Sequence, residues 1–343
     1  MIPRLPISDF WHSLQVDHTP VIDVRSPQEF LHGHIPGAVN IPLFDDEERA
    51  AVGTLYKQVS RDAAILRGLE LVGPKLAAFV RQVREVAPGG TILVHCWRGG
   101  MRSEYMALLW QTTGMKVATL QGGYKAYRQS VLATMARPWK LRILGGATGS
   151  GKTACLQAIA DQGGQILDLE ALAHHKGSSF GSLGQLPQPT TEQFENDLHA
   201  RLMCLDPDQP VWVEDESVSI GKVFIPKPFW DQMCASPAVI LEIPQEVRIR
   251  HLVQEYAAHD PSEMEAALAR ISRRLGGLQY QRALEAYRAG DLEESTRIVL
   301  AYYDKAYTFA ISLKPQHLVT RLTVAQDDAP ATARTVLRIS QPH

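Results

Sequence analysis

The chain has 343 residues, 45% of them hydrophobic and 21% charged, with 35 Lys+Arg against 37 Asp+Glu and a formal net charge of −2. That balance excludes an intrinsically disordered chain, and the length suits two domains better than one core. A near-neutral total gives no global attraction to nucleic acid, so RNA would have to be held by a local basic surface. Cys96, Cys155, Cys204 and Cys234 form no Cys-x-x-Cys pair, which argues against a zinc site or a disulfide framework and for a reducing compartment. No basic-then-apolar leader opens the sequence, and no run of about 18 apolar residues occurs, so a cytoplasmic protein without a membrane partner is expected.

In chain order, Val21-Ile22-Asp23-Val24 reads as a buried parallel strand, Lys75 to Val86 has helical apolar spacing, and Thr91-Ile92-Leu93-Val94-His95 is a second strand ending at Cys96. Strands alternating with helices predict an α/β fold, a parallel sheet with its chemistry at the carboxyl ends of the strands. Proline in Ala136-Arg137-Pro138-Trp139 interrupts the pattern, so the boundary is placed between residues 1–137 and 138–343. The second unit repeats the logic. Leu141 to Gly145 is its first strand, a helix follows from about Lys152, and further strands are read at Gln165 to Asp168, Val211 to Glu214 and Ala238 to Glu242. From Pro261 to Leu313 the pattern is helical; after Pro315 no clear pattern is legible.

The loop Cys96-Trp97-Arg98-Gly99-Gly100-Met101-Arg102-Ser103 leaves a strand and enters a helix. Such a loop turns backbone N–H groups and a helix N-terminus toward one point, a setting that favours a nucleophilic thiolate at Cys96. Gly99 and Gly100 are expected to allow the curl, Arg98 and Arg102 to face anionic oxygens, and Ser103 to cap the helix. The segments Asp23-Val24-Arg25-Ser26-Pro27-Gln28-Glu29-Phe30 and His34-Ile35-Pro36-Gly37-Ala38-Val39-Asn40-Ile41-Pro42, with Cys96, resemble a rhodanese domain over most of residues 8 to 130. The resemblance implies a cysteine that carries a chalcogen. Five residues separate Cys96 from Arg102, one more than in most sulfur-transferring rhodaneses, and the larger ring suits a tetrahedral phosphate; a phosphatase working through Cys96 is therefore a rival reading. No acidic residue adjoins the loop before Glu104 to serve a phosphatase as general acid.

Gly146-Ala147-Thr148-Gly149-Ser150-Gly151-Lys152-Thr153 is a complete P-loop pattern between a strand and a helix. Gly146, Gly149 and Gly151 let the backbone wrap a di- or triphosphate, with Ser150 in the same loop; Lys152 reaches an outer phosphate and Thr153 offers a hydroxyl to a metal ion. Glu214 or Asp215, at the end of a strand, is the candidate acid for holding magnesium; Asp168, after another strand, is a candidate to orient an acceptor. Between residues 270 and 288 five arginines stand against one glutamate, and Arg270, Arg273 and Arg274 share a helical face as a lid or an RNA contact. His174 with His175, and His32 with His34, lack a third ligand, so no resident metal is expected.

A rhodanese-like domain followed by a P-loop domain resembles the bacterial tRNA 2-selenouridine synthase family across nearly the whole chain. Asp45 to Lys57, Glu214-Asp215-Glu216-Ser217 and Arg273-Arg274-Leu275-Gly276-Gly277 add to the match. The family implies replacement of sulfur by selenium at C2 of the wobble 2-thiouridine, position 34, in tRNAs for lysine, glutamate and glutamine. It implies selenophosphate as donor and geranyl diphosphate as alkylating substrate, with no tightly bound cofactor. It further implies an S-selanylcysteine on Cys96 and a transient contact with a selenophosphate-producing enzyme. Trp97, Tyr105 and Tyr124 are candidates to stack a splayed base. Other readings are a small-molecule kinase with a regulatory rhodanese domain, or an RNA-binding scaffold.

Overall fold

The structure, a computed structural model, describes residues 2–257, 259–324 and 328–340. The chain forms two compact units, one up to Thr134 and the other from Met135.

In the first unit five strands form a parallel sheet in the order Arg4–Leu5, Lys116–Leu120, Thr91–His95, Val21–Asp23, Val39–Asn40. The central strands read as unbroken apolar runs because helices cover both faces; Ile22, Ile92 and Val94 are wholly buried. The Leu76–Val86 helix contributes Phe79 and Val83 to this core. Trp110, also wholly buried, satisfies its indole N–H on the Phe79 carbonyl at 3.1 Å.

Two consecutive helices, Asp46–Gln58 and Arg61–Val72, pair with each other beside this sheet. Their starts are fixed by caps. Asp45 accepts from the Glu48 N–H while Glu48 accepts from the Asp45 N–H, and Ser60 accepts from the Ala63 N–H. Yet the first helix has no buried residue and the second buries only Ala64 and Gly68, so apolar side chains on this pair remain open.

The second unit has a parallel sheet in the order Val319–Thr323, Ala238–Glu242, Leu141–Gly146, Val211–Glu214, Gln165–Leu167. The helix Lys152–Asp161 packs Cys155, Leu156 and Ile159 with Ala333 and Val336 of the helix Ala329–Ile339. The predicted helical stretch resolves into Pro261–Leu275, Gly277–Arg288 and Leu292–Ser312, which enclose a separate core of Met264, Leu268, Ile271, Ala283 and Val299. Among the described residues, no helix is long and apolar enough to cross a membrane.

Candidate active site

Cys96 sits where its strand ends, four residues before the Met101–Thr112 helix begins with Gly100 as N-cap. Its Sγ lies 3.2 Å from the Ser103 hydroxyl and 3.8 Å from the Gly100 carbonyl. Ser103 is thus not the cap expected from the sequence: its Oγ donates to the Gly100 carbonyl at 3.0 Å from inside the first turn, and it touches the thiol. Gly99 has φ +66°, and a Cβ there would stand 2.7 Å from the Leu120 carbonyl, so only glycine fits. Gly100 carries no such demand; its φ is −107° and its surroundings are open. The loop is tied to the next turn by the Tyr124 N–H on the Cys96 carbonyl and the Lys125 N–H on the Trp97 carbonyl, both 2.9 Å.

Under the loop lies a buried polar block. Arg25 grips Asp23 through Nε and Nη2, donates to the Gly33 carbonyl at 2.7 Å, and stacks 3.7 Å from the Tyr124 ring centroid. Burial pushes His95 down to about 4, so it is neutral at physiological pH, and the fixed Arg25 charge holds Asp23 ionised despite its burial. Asp23 and Arg25 are therefore structural residues here, and Tyr124, wholly buried, is unavailable to stack a base. Trp97 and Tyr105 are 38% and 52% exposed.

Of the two loop arginines, only Arg98 is exposed without a partner among the described residues. Arg102 is turned to Glu29, Nη1 to Oε2 at 2.5 Å and Nη2 to Oε1 at 3.1 Å. Glu29, which sequence reasoning missed, is the acid nearest this arginine; Glu104 pairs with Arg4.

In the second unit Gly151, at φ +70°, caps the Lys152–Asp161 helix, and Lys152 Nζ donates to the Gly146 carbonyl at 2.9 Å. Gly149 approaches the Gln245–Tyr256 helix so closely that a Cβ would stand 2.9 Å from the Arg248 carbonyl. That helix clamps the loop. Arg248 donates to the Thr148 carbonyl at 3.1 Å and, bidentately, to Asp304 at 2.8 and 2.7 Å, and His251 Nδ1 meets the Gly149 carbonyl at 2.9 Å. The Ser150 side chain is buried beside Gly146. The loop opens on a cavity of about 670 Å³ that also touches Asp168, Glu170, Glu216 and Tyr303.

The acids differ from expectation in their direction. Asp215 is engaged by Lys314 at 2.9 Å, and Asp168 caps the Leu169–Ala173 helix through the Ala171 N–H at 2.7 Å. Glu214 is wholly buried; burial, then Asp168 and Glu170, push it well above the carboxylate range, and its Oε1 has no partner. The carboxyls facing Lys152 and Thr153 are those of Glu170 and Glu216. They hydrogen-bond to each other, burial and Glu170 push Glu216 up to about 8, and Thr153 Oγ1 is 3.5 Å from Glu170 Oε2. Among the described residues, no group of three or more His, Cys, Asp or Glu forms a metal cage.

The arginine run is partly neutralised. Arg282 pairs with Glu294 and Arg288 with Glu265, while Arg270 donates to the Ser179 carbonyl at 3.0 Å. Arg273 and Arg274 are exposed at the end of Pro261–Leu275.

A family model described as the tRNA 2-selenouridine synthase AAA domain matches residues 139–327, and one described as a rhodanese-like domain matches residues 8–130. Several relatives are named tRNA 2-selenouridine synthase. One from Aeromonas salmonicida is 34% identical over 93% of this chain and 94% of its own; one from Cronobacter sakazakii is 35% identical over 95% and 96%. One from Nitrosomonas europaea is 38% identical over 76% of this chain and 69% of its own. With a thiol loop on a rhodanese-like sheet, a P-loop on a second parallel sheet, and matches to both in order, the chain belongs to the tRNA 2-selenouridine synthase family.

Proposed function

We propose that this chain replaces sulfur by selenium at C2 of the wobble 2-thiouridine of tRNA, using geranyl diphosphate and selenophosphate as substrates. The observation that carries the reading is the presence, in one chain, of a thiol at a strand end and a P-loop whose lysine and carboxyl pair face the same cavity. A thiocarbonyl sulfur is a poor leaving group. Alkylating it makes C2 electrophilic and lets the sulfur depart as a neutral thiol, so a diphosphate site and a selenium site belong to one reaction. Lys152 and the loop amides stabilise the charge that develops on diphosphate as the allylic bond breaks. Magnesium fits as a substrate-borne ion: Thr153, Glu170 and Glu216 are hard oxygen donors, too few for a closed cage, and would hold it together with phosphate oxygens. When bound it would neutralise the leaving group. In this reading the selenium of selenophosphate adds to C2, the geranyl thiolate leaves and takes up the Cys96 thiol proton, and water then cleaves the Se–P bond to release phosphate, while the exposed Arg98 meets the anionic donor.

The tRNAs are those for lysine, glutamate and glutamine, as the resemblance implies, and a selenophosphate-producing enzyme is a transient partner. Incubation of the chain with thiolated tRNA, geranyl diphosphate and selenophosphate, followed by nucleoside mass spectrometry, should show S-geranyl-thiouridine and then selenouridine. Phosphorylated product, phosphate release from an aryl phosphate, or no conversion would reject the reading in favour of a kinase, a phosphatase or a scaffold.

A further inference from the structure

A groove of about 910 Å³ runs from Cys96 between the Asp46–Gln58 and Arg61–Val72 helix pair and the Met101–Thr112 helix. Its walls are almost wholly apolar. Leu69 is 61% and Leu108 50% exposed, and both face this space, as do Tyr56, Tyr105 and Trp97. Gly68 keeps its floor low, since a Cβ there would stand 3.3 Å from the Phe44 ring. A bare apolar surface of this kind marks a binding site. One end is the Cys96 thiol; the cations along the groove are Arg49, Lys57, Arg98 and Arg102, of which Arg49 and Arg102 face Glu29, while Lys57 and Arg98 are exposed and have no ion-pair partner among the described residues. An occupant with an apolar body and a polyanionic remainder matches both features, whereas a purely apolar partner leaves Lys57 and Arg98 unused.

We propose that this groove seats the S-geranyl group of the alkylated wobble nucleoside, holding C2 beside Cys96 while the RNA phosphates meet Lys57 and Arg98. The proposal rests on the reading above that alkylation precedes selenium transfer, and it assigns a binding site rather than a chemical step. Trp97 and Tyr105 lie where they can stack the base. Each methylene buried strengthens binding about fourfold, so chain length should be read out directly in affinity.

The test uses the full chain and synthetic anticodon stem-loops carrying 2-thiouridine, its S-dimethylallyl form or its S-geranyl form. Binding should tighten in that order, with the geranyl form at least tenfold tighter than the unmodified one. Leu69→Glu and Leu108→Glu, which alter exposed side chains and leave the melting temperature near that of the unaltered chain, should bring the ratio close to one. Leu313→Glu, on an exposed residue outside the groove, should leave it unchanged. A preference that survives both groove substitutions overturns the proposal. If the unaltered chain shows no preference yet converts geranylated RNA to selenouridine, the groove assignment fails and the function stands. If it cannot convert geranylated RNA at all, both fall.

Discussion

Arg102 donates both ends of its guanidinium to Glu29, 73 residues earlier in the chain, and the pair is largely shielded from water. The arginine that the Cys-x5-Arg spacing assigns to phosphate oxygens is held by a carboxylate contributed by the segment after the Val21–Asp23 strand.

That pair makes the first unit sensitive to acid. Burial raises Glu29, but the hydrogen bonds and charge of Arg102 outweigh it, so its folded pKa lies below 4.5. A depressed carboxylate contributes stability that is present above its unfolded value and lost as pH falls through the folded one. Glu29→Gln should cost about 1–3 kcal/mol at pH 7 and less at pH 3, measured by denaturant titration at both. An equal cost at both would show that the charge pair is not the source.

The second unit carries the opposite sign. Glu216, raised to about 8, favours the fold below its unfolded value of 4.5, and that contribution disappears as pH rises through 8. Glu216→Gln should therefore raise the melting temperature by a few degrees more at pH 8.5 than at pH 5. The same shift at both values would mean that the carboxyl is not strained.

Arg248 is only 6% exposed and joins Thr148 of the P-loop to Asp304. Removing its charge in Arg248→Met leaves Asp304 half-shielded without a counter-ion, at a cost of about 2–4 kcal/mol. Pyrophosphate with Mg²⁺ should raise the melting temperature of the unaltered chain, and the same variant should lose that rise. Undiminished stabilisation would show that the loop holds its shape without the clamp.

Arg273 and Arg274 are exposed and lack an ion-pair partner among the described residues. If they meet RNA phosphates, the double substitution to alanine should flatten the dependence of log affinity on log salt by about 1–2. An unchanged slope assigns them to the solvated surface.

What was legible in the sequence was local. The apolar run ending at Cys96 and the glycine spacing of the P-loop each fix a strand, a loop and a helix start within about a dozen residues. Partners brought in by tertiary folding were not legible: Glu29 for Arg102, Arg248 for Thr148, and Glu216 rather than Asp215 toward Lys152. Tyr124 could not be told from a free aromatic, because its burial depends on Arg25 across the fold. The strand Val319–Thr323 escaped notice because it lies at the sheet edge with Thr320 and Arg321 exposed, so it lacks the apolar run of its neighbours.

The proposed reaction assigns the P-loop and the Cys96 loop to successive steps, and tRNA already geranylated separates them. Supplied with that tRNA and selenophosphate, Lys152→Ala should form selenouridine at close to the unaltered rate, while Cys96→Ser should form none; supplied with thiolated tRNA and geranyl diphosphate, the outcomes should reverse, with Cys96→Ser accumulating the S-geranyl nucleoside and Lys152→Ala forming none. Selenouridine made by Cys96→Ser, or geranylation by Lys152→Ala at an undiminished rate, would contradict the account.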